Sequence, residues 1–199
     1  MRNIILLLIL IILFSAVTKG QVPSFKNDDK FKKENNQGLT FINPTKLKDY
    51  DFQLRFYFGP LPYHLLLITY KNGAWSNDLY TFHTNHGPYI ESVDSSHIVI
   101  KSYSSLFRQL KKDSLLTMTT LDESQFYKMA EKRKSAKNGM ALPVDGPGPY
   151  LVELLSPSAN RGFRSQCPET NYENYHLTEL RVAVALFKKL MALVNMKPC

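Results

Sequence analysis

Hydrophobic and polar positions alternate most cleanly from Asp51 to Phe58. Phe52, Leu54, Phe56 and Phe58 fall on one side, and Gln53, Arg55 and Tyr57 on the other. A period of two predicts a half-buried strand. Gly59-Pro60-Leu61-Pro62 breaks it. Tyr63 to Tyr70 is apolar on both faces, which predicts a central strand. Lys71-Asn72-Gly73 is a hairpin signal, because Asn and Gly tolerate positive φ. The chain then returns through Trp75 into a strand from Leu79 to His83. A further short strand is expected from His97 to Lys101, with Ile98 and Ile100 on one side. Asp145-Gly146-Pro147-Gly148-Pro149 is a rigid, turn-rich approach to a strand over Tyr150–Leu155, with Gly162–Gln166 as its pairing partner.

Two stretches carry the helical period instead. Ser104 or Ser105 can cap a short helix running to Lys112 and burying Leu106, Phe107 and Leu110. Near the C-terminus, Thr170 and Glu173 fit a capping box. Leu177, Leu180, Val184, Phe187, Met191 and Val194 then recur at helical spacing, widened by Leu186, Leu190 and Leu193. Arg181, Ala185, Lys188, Ala192 and Asn195 form the wet side, Lys197 suits the negative helix end, and Pro198 marks the stop. Leu115–Thr119 leans towards β, and Asp122–Asn138 reads as a polar excursion. The sum is an α+β fold: a mostly antiparallel sheet of five to seven strands, with the short middle helix and the long C-terminal helix packed on one face. The other face carries Gln53, Arg55 and Tyr57 towards water or a ligand.

The N-terminus changes the picture of what folds. Met1-Arg2-Asn3 is a short positive start, Ile4–Phe14 is an unbroken apolar run, and Ser15–Gly20 is small and polar. That order reads as a signal peptide over residues 1–20, cut before Gln21. The apolar run is shorter than the roughly 18 residues a spanning helix needs, so no transmembrane anchor is expected after cleavage. Gln21–Gly38 is rich in Lys, Asn and Asp and predicts a flexible polar lead-in. Residues 39–199 then form a single α+β domain, periplasmic or secreted.

Export alters the reading of charge. The 199-residue chain carries a net charge of +8, of which Arg2 and Lys19 leave with the leader. An exported chain with dispersed charge argues against nucleic acid. The one concentration, Lys128, Lys132, Arg133, Lys134 and Lys137 around Glu131, reads as a solvated loop, or as a patch for an anionic envelope polymer or lipid. Cys167 and Cys199 read first as a disulfide, since an oxidising compartment favours pairing, with a mobile terminal thiol and an intermolecular bridge as the competing readings. Closing that loop would contribute about 3–4 kcal/mol in the chain-entropy account.

Candidate chemistry is sparse. The sequence lacks a dinucleotide-binding glycine pattern, a phosphate loop, a Gly-x-Ser-x-Gly elbow, His-Glu-x-x-His and paired Cys-x-x-Cys. His83 and His86, three apart in Thr81–Gly87, could share a metal with Glu91 or Asp94 as a third ligand; the competing reading is a turn satisfying its own backbone. His64, on the Leu66 and Ile68 side of its strand, reads as a core or boundary histidine. Arg55 and Glu153 each interrupt an apolar strand, where an unpaired buried charge is costly. They therefore either pair or point outwards. With Tyr57 they form the candidate binding residues. Tyr57, Tyr80 and Tyr103 could floor a groove, although core packing accounts for most aromatics.

No cofactor is implied. The leading reading is a non-catalytic binding domain at the cell envelope or outside the cell, with an envelope polymer or secreted protein as partner. Two alternatives stand beside it: a small hydrolase, metal-assisted through His83 and His86, and a structural or inhibitory partner of another secreted protein.

Overall fold

In a computed structural model of the chain, the described residues are 22–29, 31, 37–59, 63–84, 89–112, 149–166 and 178–196. The leader, the basic run, Leu115–Thr119, His86, the Thr170–Glu173 cap, Cys167 and Cys199 all lie outside them. Among the described residues there is no disulfide, and no helix is long and apolar enough to cross a membrane.

A short 3-10 turn over Gln37–Phe41 leads into α1 (Pro44–Lys48). Six strands are present, interrupted by one helix: β1 (Phe52–Phe58), β2 (His64–Lys71), β3 (Ala74–His83), β4 (Ser92–Ser96), α2 (Tyr103–Lys112), β5 (Pro149–Leu155) and β6 (Asn160–Gln166). The last described helix is α3 (Thr178–Leu193). The strands form one sheet in the order β4-β3-β2-β1-β5-β6, every neighbouring pair antiparallel. An α+β architecture with a six-stranded antiparallel sheet is thus present. β1 to β4 form a meander, and the β5–β6 hairpin docks on the free edge of β1. That leaves β1 inside the sheet, with every one of its residues buried.

Local chemistry explains the turns. Asn72 and Gly73 both adopt positive φ (50° and 82°), the pairing that a two-residue hairpin with right-handed strand twist requires. Register follows at once, with Lys71 opposite Ala74 and Tyr70 opposite Trp75. α1 begins with Asn43, whose side chain accepts from the Thr45 backbone N–H, and with Pro44 in the first turn.

Three expectations about element position are corrected. The strand after β3 is Ser92–Ser96, and His97–Lys101 is an unpaired segment beyond it. β3 begins at Ala74, well before Leu79; its added residues pair with β2, and Leu79–His83 pairs with the polar edge strand β4. α3 ends at Leu193, before Pro198. Asn195 takes the left-handed conformation (φ 55°), Met196 N–H donates to the Met191 carbonyl (3.2 Å) and Asn195 N–H to that of Ala192 (3.5 Å). This Schellman closure satisfies the terminal carbonyls without proline.

The apolar residues separate into two clusters. The larger holds Phe52, Leu54, Phe56 and Phe58 of β1 together with Leu106, Phe107 and Leu110 of α2 and Leu186, Phe187 and Leu190 of α3. Phe187 lies against Tyr150 and Phe56, with ring centroids 5.2 and 5.8 Å away. Phe107 meets Phe52 edge-on at 5.1 Å. Each such fully buried side chain contributes about 1.5–3 kcal/mol relative to exposure.

The smaller cluster holds Tyr57, Leu65, Leu67, Tyr80, Phe82, Leu151 and Ile42, with Leu39 and Leu47 packed against it. The sheet face expected to meet water is therefore roofed by residues 37–48. Part of the lead-in is placed too: Phe25 packs on the larger cluster and Phe31 on the smaller. Asp28 N–H donates to the Asn160 carbonyl (2.9 Å), and Asn160 N–H to Asn27 Oδ1 (2.9 Å). The Phe31 ring occupies the space a Cβ at Gly162 would need.

Candidate functional site

Arg55 of β1 and Glu153 of β5 stand directly opposite each other in the strand register. Their side chains are 1% and 0% exposed, and Arg55 Nη1 lies 3.8 Å from Glu153 Oε2. Register and burial bring the two charges together. Arg55 Nε donates to Gln53 Oε1 (2.7 Å), and its Nη2 to the Leu47 carbonyl (2.9 Å). Gln53 Nε2 donates to the Lys46 carbonyl (2.7 Å) and to Thr69 Oγ1 (3.1 Å). Tyr57 Oη donates to Glu153 Oε2 (3.2 Å). Burial, and then the Glu153 charge, raise the Tyr57 pKa well above the ordinary phenol value.

This network has a structural consequence. The last carbonyls of α1, left without intrahelical donors, are taken by Gln53 and Arg55. The polar centre of the sheet thereby holds down the roof that hides it. Lys46 adds an outer tie to Asp78 at 2.8 Å, and that hydrogen bond raises the Lys46 pKa. Arg55, Tyr57 and Glu153, the candidate binding residues, are bonded to one another and to the roof, with no open face. Nor do the tyrosines floor a groove: Tyr57 and Tyr80 are buried, and Tyr103 stacks on Trp75 at 5.1 Å while its hydroxyl accepts from Asn77 Nδ2.

The histidine candidate resolves differently. His83 Nε2 lies 2.9 Å from Asp94 Oδ2 across the β3–β4 pair, and both side chains are substantially exposed. Glu91 meets His83 through its backbone N–H, which donates to the His83 carbonyl (2.9 Å). Among the described residues no group of three or more His, Cys, Asp or Glu side chains is placed to hold a metal ion; His86 lies outside them. His64 is half-buried, stacked on Phe58 at 5.2 Å, with Nδ1 3.0 Å from Thr81 Oγ1. Desolvation, and then the charge on His83, lower its pKa.

Sequence reasoning passed over a concave feature formed among the described residues. A groove of about 600 Å³ lies between the segment 97–102, the first turns of α2 and the last turn of α3. Leu106, Ile98, Ile100, Leu193 and Val194 are among its apolar lining residues, and His97, Lys101, Ser105, Gln109 and Asn195 among its polar ones. The signal was the alternation in His97–Lys101, whose inward residues Ile98 and Ile100 were read while Val99 and Lys101 on the outer side were not. Val99 is 89% exposed.

No family model matches this chain, and no curated protein matches it in sequence. The reading of function therefore rests on the site itself.

Proposed function

We propose that the protein is an exported, non-catalytic binding protein and that its ligand sits in the groove between residues 97–102, α2 and α3. Residues 1–20 direct export, and the mature chain starting at Gln21 acts in the periplasm or outside the cell. Both helices lie over the same sheet face in this reading, which their shared cluster with β1 supports.

The observation that carries it is a contrast between two sets of polar groups. The charges at the middle of the sheet are consumed internally by Gln53, Leu47, Tyr57 and one another. The groove has the volume and the mixed lining of a small-molecule site.

The test is to purify the mature protein from its native compartment and identify co-purifying small molecules by mass spectrometry of the extract. Ala192 is exposed at the groove, so Ala192→Trp fills it without disturbing the core. A stoichiometric ligand lost in Ala192→Trp supports the reading; a ligand retained unchanged contradicts it. N-terminal sequencing that starts at Gln21 tests the export step.

A hydrolase is the second reading, favoured by the hydrogen-bonded His83–Asp94 pair. It predicts that His83→Ala abolishes a measurable hydrolytic activity. Full activity in that variant rules it out.

A further inference from the structure

Asparagine is one of the thermally labile side chains, because its amide can be attacked from within the chain. The attacking atom is the backbone nitrogen of the following residue, which bonds to the side-chain carbon Cγ and closes an imide ring. That step needs an unengaged N–H, little crowding around it and a free carboxamide. The structure sorts the asparagines on these three points.

Asn43 is followed by Pro44, whose nitrogen carries no hydrogen. Asn27 is followed by Asp28, whose N–H donates to the Asn160 carbonyl (2.9 Å), and Asn27 Oδ1 accepts from Asn160 N–H (2.9 Å). Asn195 is followed by Met196, whose N–H donates to the Met191 carbonyl (3.2 Å). Asn77 is buried within β3, and its carboxamide donates to Tyr103 Oη (2.7 Å) and accepts from Ile98 N–H (3.0 Å). Asn160 leads into Arg161, which is held in the β5–β6 pairing opposite Leu154.

Asn72 differs at both reacting atoms. It is followed by Gly73, and both residues are exposed at the tip of the β2–β3 hairpin. Among the described residues neither the Asn72 carboxamide nor the Gly73 N–H has a hydrogen-bond partner; the bond at Asn72 runs from its backbone N–H to Asp51 Oδ2 (2.9 Å). Nothing lies within 4 Å of the place a Gly73 Cβ would take, so no side chain crowds its Cα. The peptide plane between the two residues turns about Asn72 ψ and Gly73 φ, and glycine pays the least for that rotation.

We propose that Asn72 is a site of spontaneous deamidation. Solvent base takes the Gly73 N–H proton, the nitrogen's electron pair bonds to Asn72 Cγ, and the Cγ–Nδ2 bond breaks with Nδ2 leaving as ammonia. One water then opens the imide. Cleavage of the new Cγ–N bond restores the main chain and leaves an aspartate. Cleavage at the original carbonyl carbon routes the main chain through the side chain and leaves an isoaspartate. Either product puts a carboxylate beside Asp51, close in sequence to the Lys71–Asp49 pair. Isoaspartate also adds a methylene to the main chain inside a two-residue turn, where Lys71 and Ala74 form the closing pair.

The experiment is incubation of the purified protein in mildly alkaline buffer, followed by digestion in acid and mass spectrometry of the peptides. An isoaspartate-specific methyltransferase labels the same peptides. The Asn72 peptide is expected to gain the mass difference between an amide and an acid, split into two isomers and take up methyl label. This conversion is expected to run at least tenfold faster than at Asn27, Asn77, Asn160 or Asn195. Asn72→Gln keeps a carboxamide but needs a larger ring, and is expected to abolish both the gain and the label there. The other Asn-Gly pair of the chain, Asn138-Gly139, serves as the standard for the assay.

An Asn72 peptide that stays intact while the Asn138 peptide converts overturns the proposal, because the folded hairpin then protects its own turn. Conversion at Asn72 only after unfolding in urea overturns it for the same reason. Asn27 or Asn195 keeping pace with Asn72 overturns the selection by a free N–H.

Discussion

The buried pair Arg55–Glu153 sets a demand that can be measured. Replacing Glu153 by Gln keeps the side-chain shape and removes the charge, leaving the Arg55 guanidinium 1% exposed inside the sheet without its counter-ion. At 3.8 Å, two unit charges attract by about 4 kcal/mol at an effective dielectric of about 20. The hydrogen bonds from Arg55 to Gln53 and Leu47 remain and hold back part of the loss. Removing one partner of a buried pair typically costs about 3–5 kcal/mol. We expect Glu153→Gln to lose about 3 kcal/mol, a large part of the roughly 5–15 kcal/mol available to a domain.

Arg55→Met leaves the opposite charge exposed to the same penalty, and also orphans the Leu47 carbonyl and Gln53 Oε1. The double variant Arg55→Met/Glu153→Gln is therefore destabilised, but by at least about 2 kcal/mol less than the two single losses added together. Urea unfolding of residues 21–199, followed through the fluorescence of Trp75, the single tryptophan, reads all four corners of this cycle. Additivity within about 0.5 kcal/mol would refute the claim that the two charges compensate each other.

Three further outcomes are expected. Tyr57 has a raised pKa, as do Tyr50 and Tyr80, so the unfolded chain gives up its phenol protons first; stability is full below about pH 10 and falls as pH rises beyond it, less steeply in Tyr57→Phe, and a flat urea midpoint from pH 9 to 11 contradicts this. His64 has a lowered pKa, so its contribution is present above about pH 6.5 and declines as pH falls below that value; His64→Asn should flatten the urea midpoint between pH 7 and 5, and an unchanged slope removes the assignment. Gly162→Ala should unseat the Phe31 ring and quicken tryptic cleavage after Lys26 while costing no more than about 1–2 kcal/mol; unaltered cleavage shows that the ring does not anchor the segment.

Much of the sheet was legible because β1 and β2 state their burial in their own residues. The alternation of Phe52, Leu54, Phe56 and Phe58 gives the face, and Asn72-Gly73 gives the register. The edge strand was not legible: Ser-Val-Asp-Ser-Ser has little intrinsic preference for β structure, and what makes it a strand is its pairing with Leu79–His83 of β3. The β-branched run at 98–100 drew the assignment instead, because its apolar residues pack without pairing.

The Arg55–Glu153 site was visible as a dilemma, since a charge amid phenylalanines and leucines must be paired or exposed. Which branch holds depends on the roof over residues 37–48. Its burial rests on Ile42, with Leu39 and Leu47 half-buried, and α1 itself has no buried residue. Three scattered apolar positions carry no period that a reader of sequence could weigh. The groove was hidden for another reason: its walls come from residues about ninety positions apart, joined only by the packing of α2 and α3.

The central claim is that this protein binds its ligand in the groove and not on the polar sheet face. Methyl and arginine Nε–H spectra of the isotope-labelled protein, recorded during titration with the small molecule that co-purifies with it, test it most directly. The account predicts saturable shifts at Ile98, Val99, Ile100, Leu106, Leu193 and Val194, with the Arg55 Nε–H resonance unmoved. Shifts at Arg55, Leu65 and Leu151 with the groove methyls silent would contradict it.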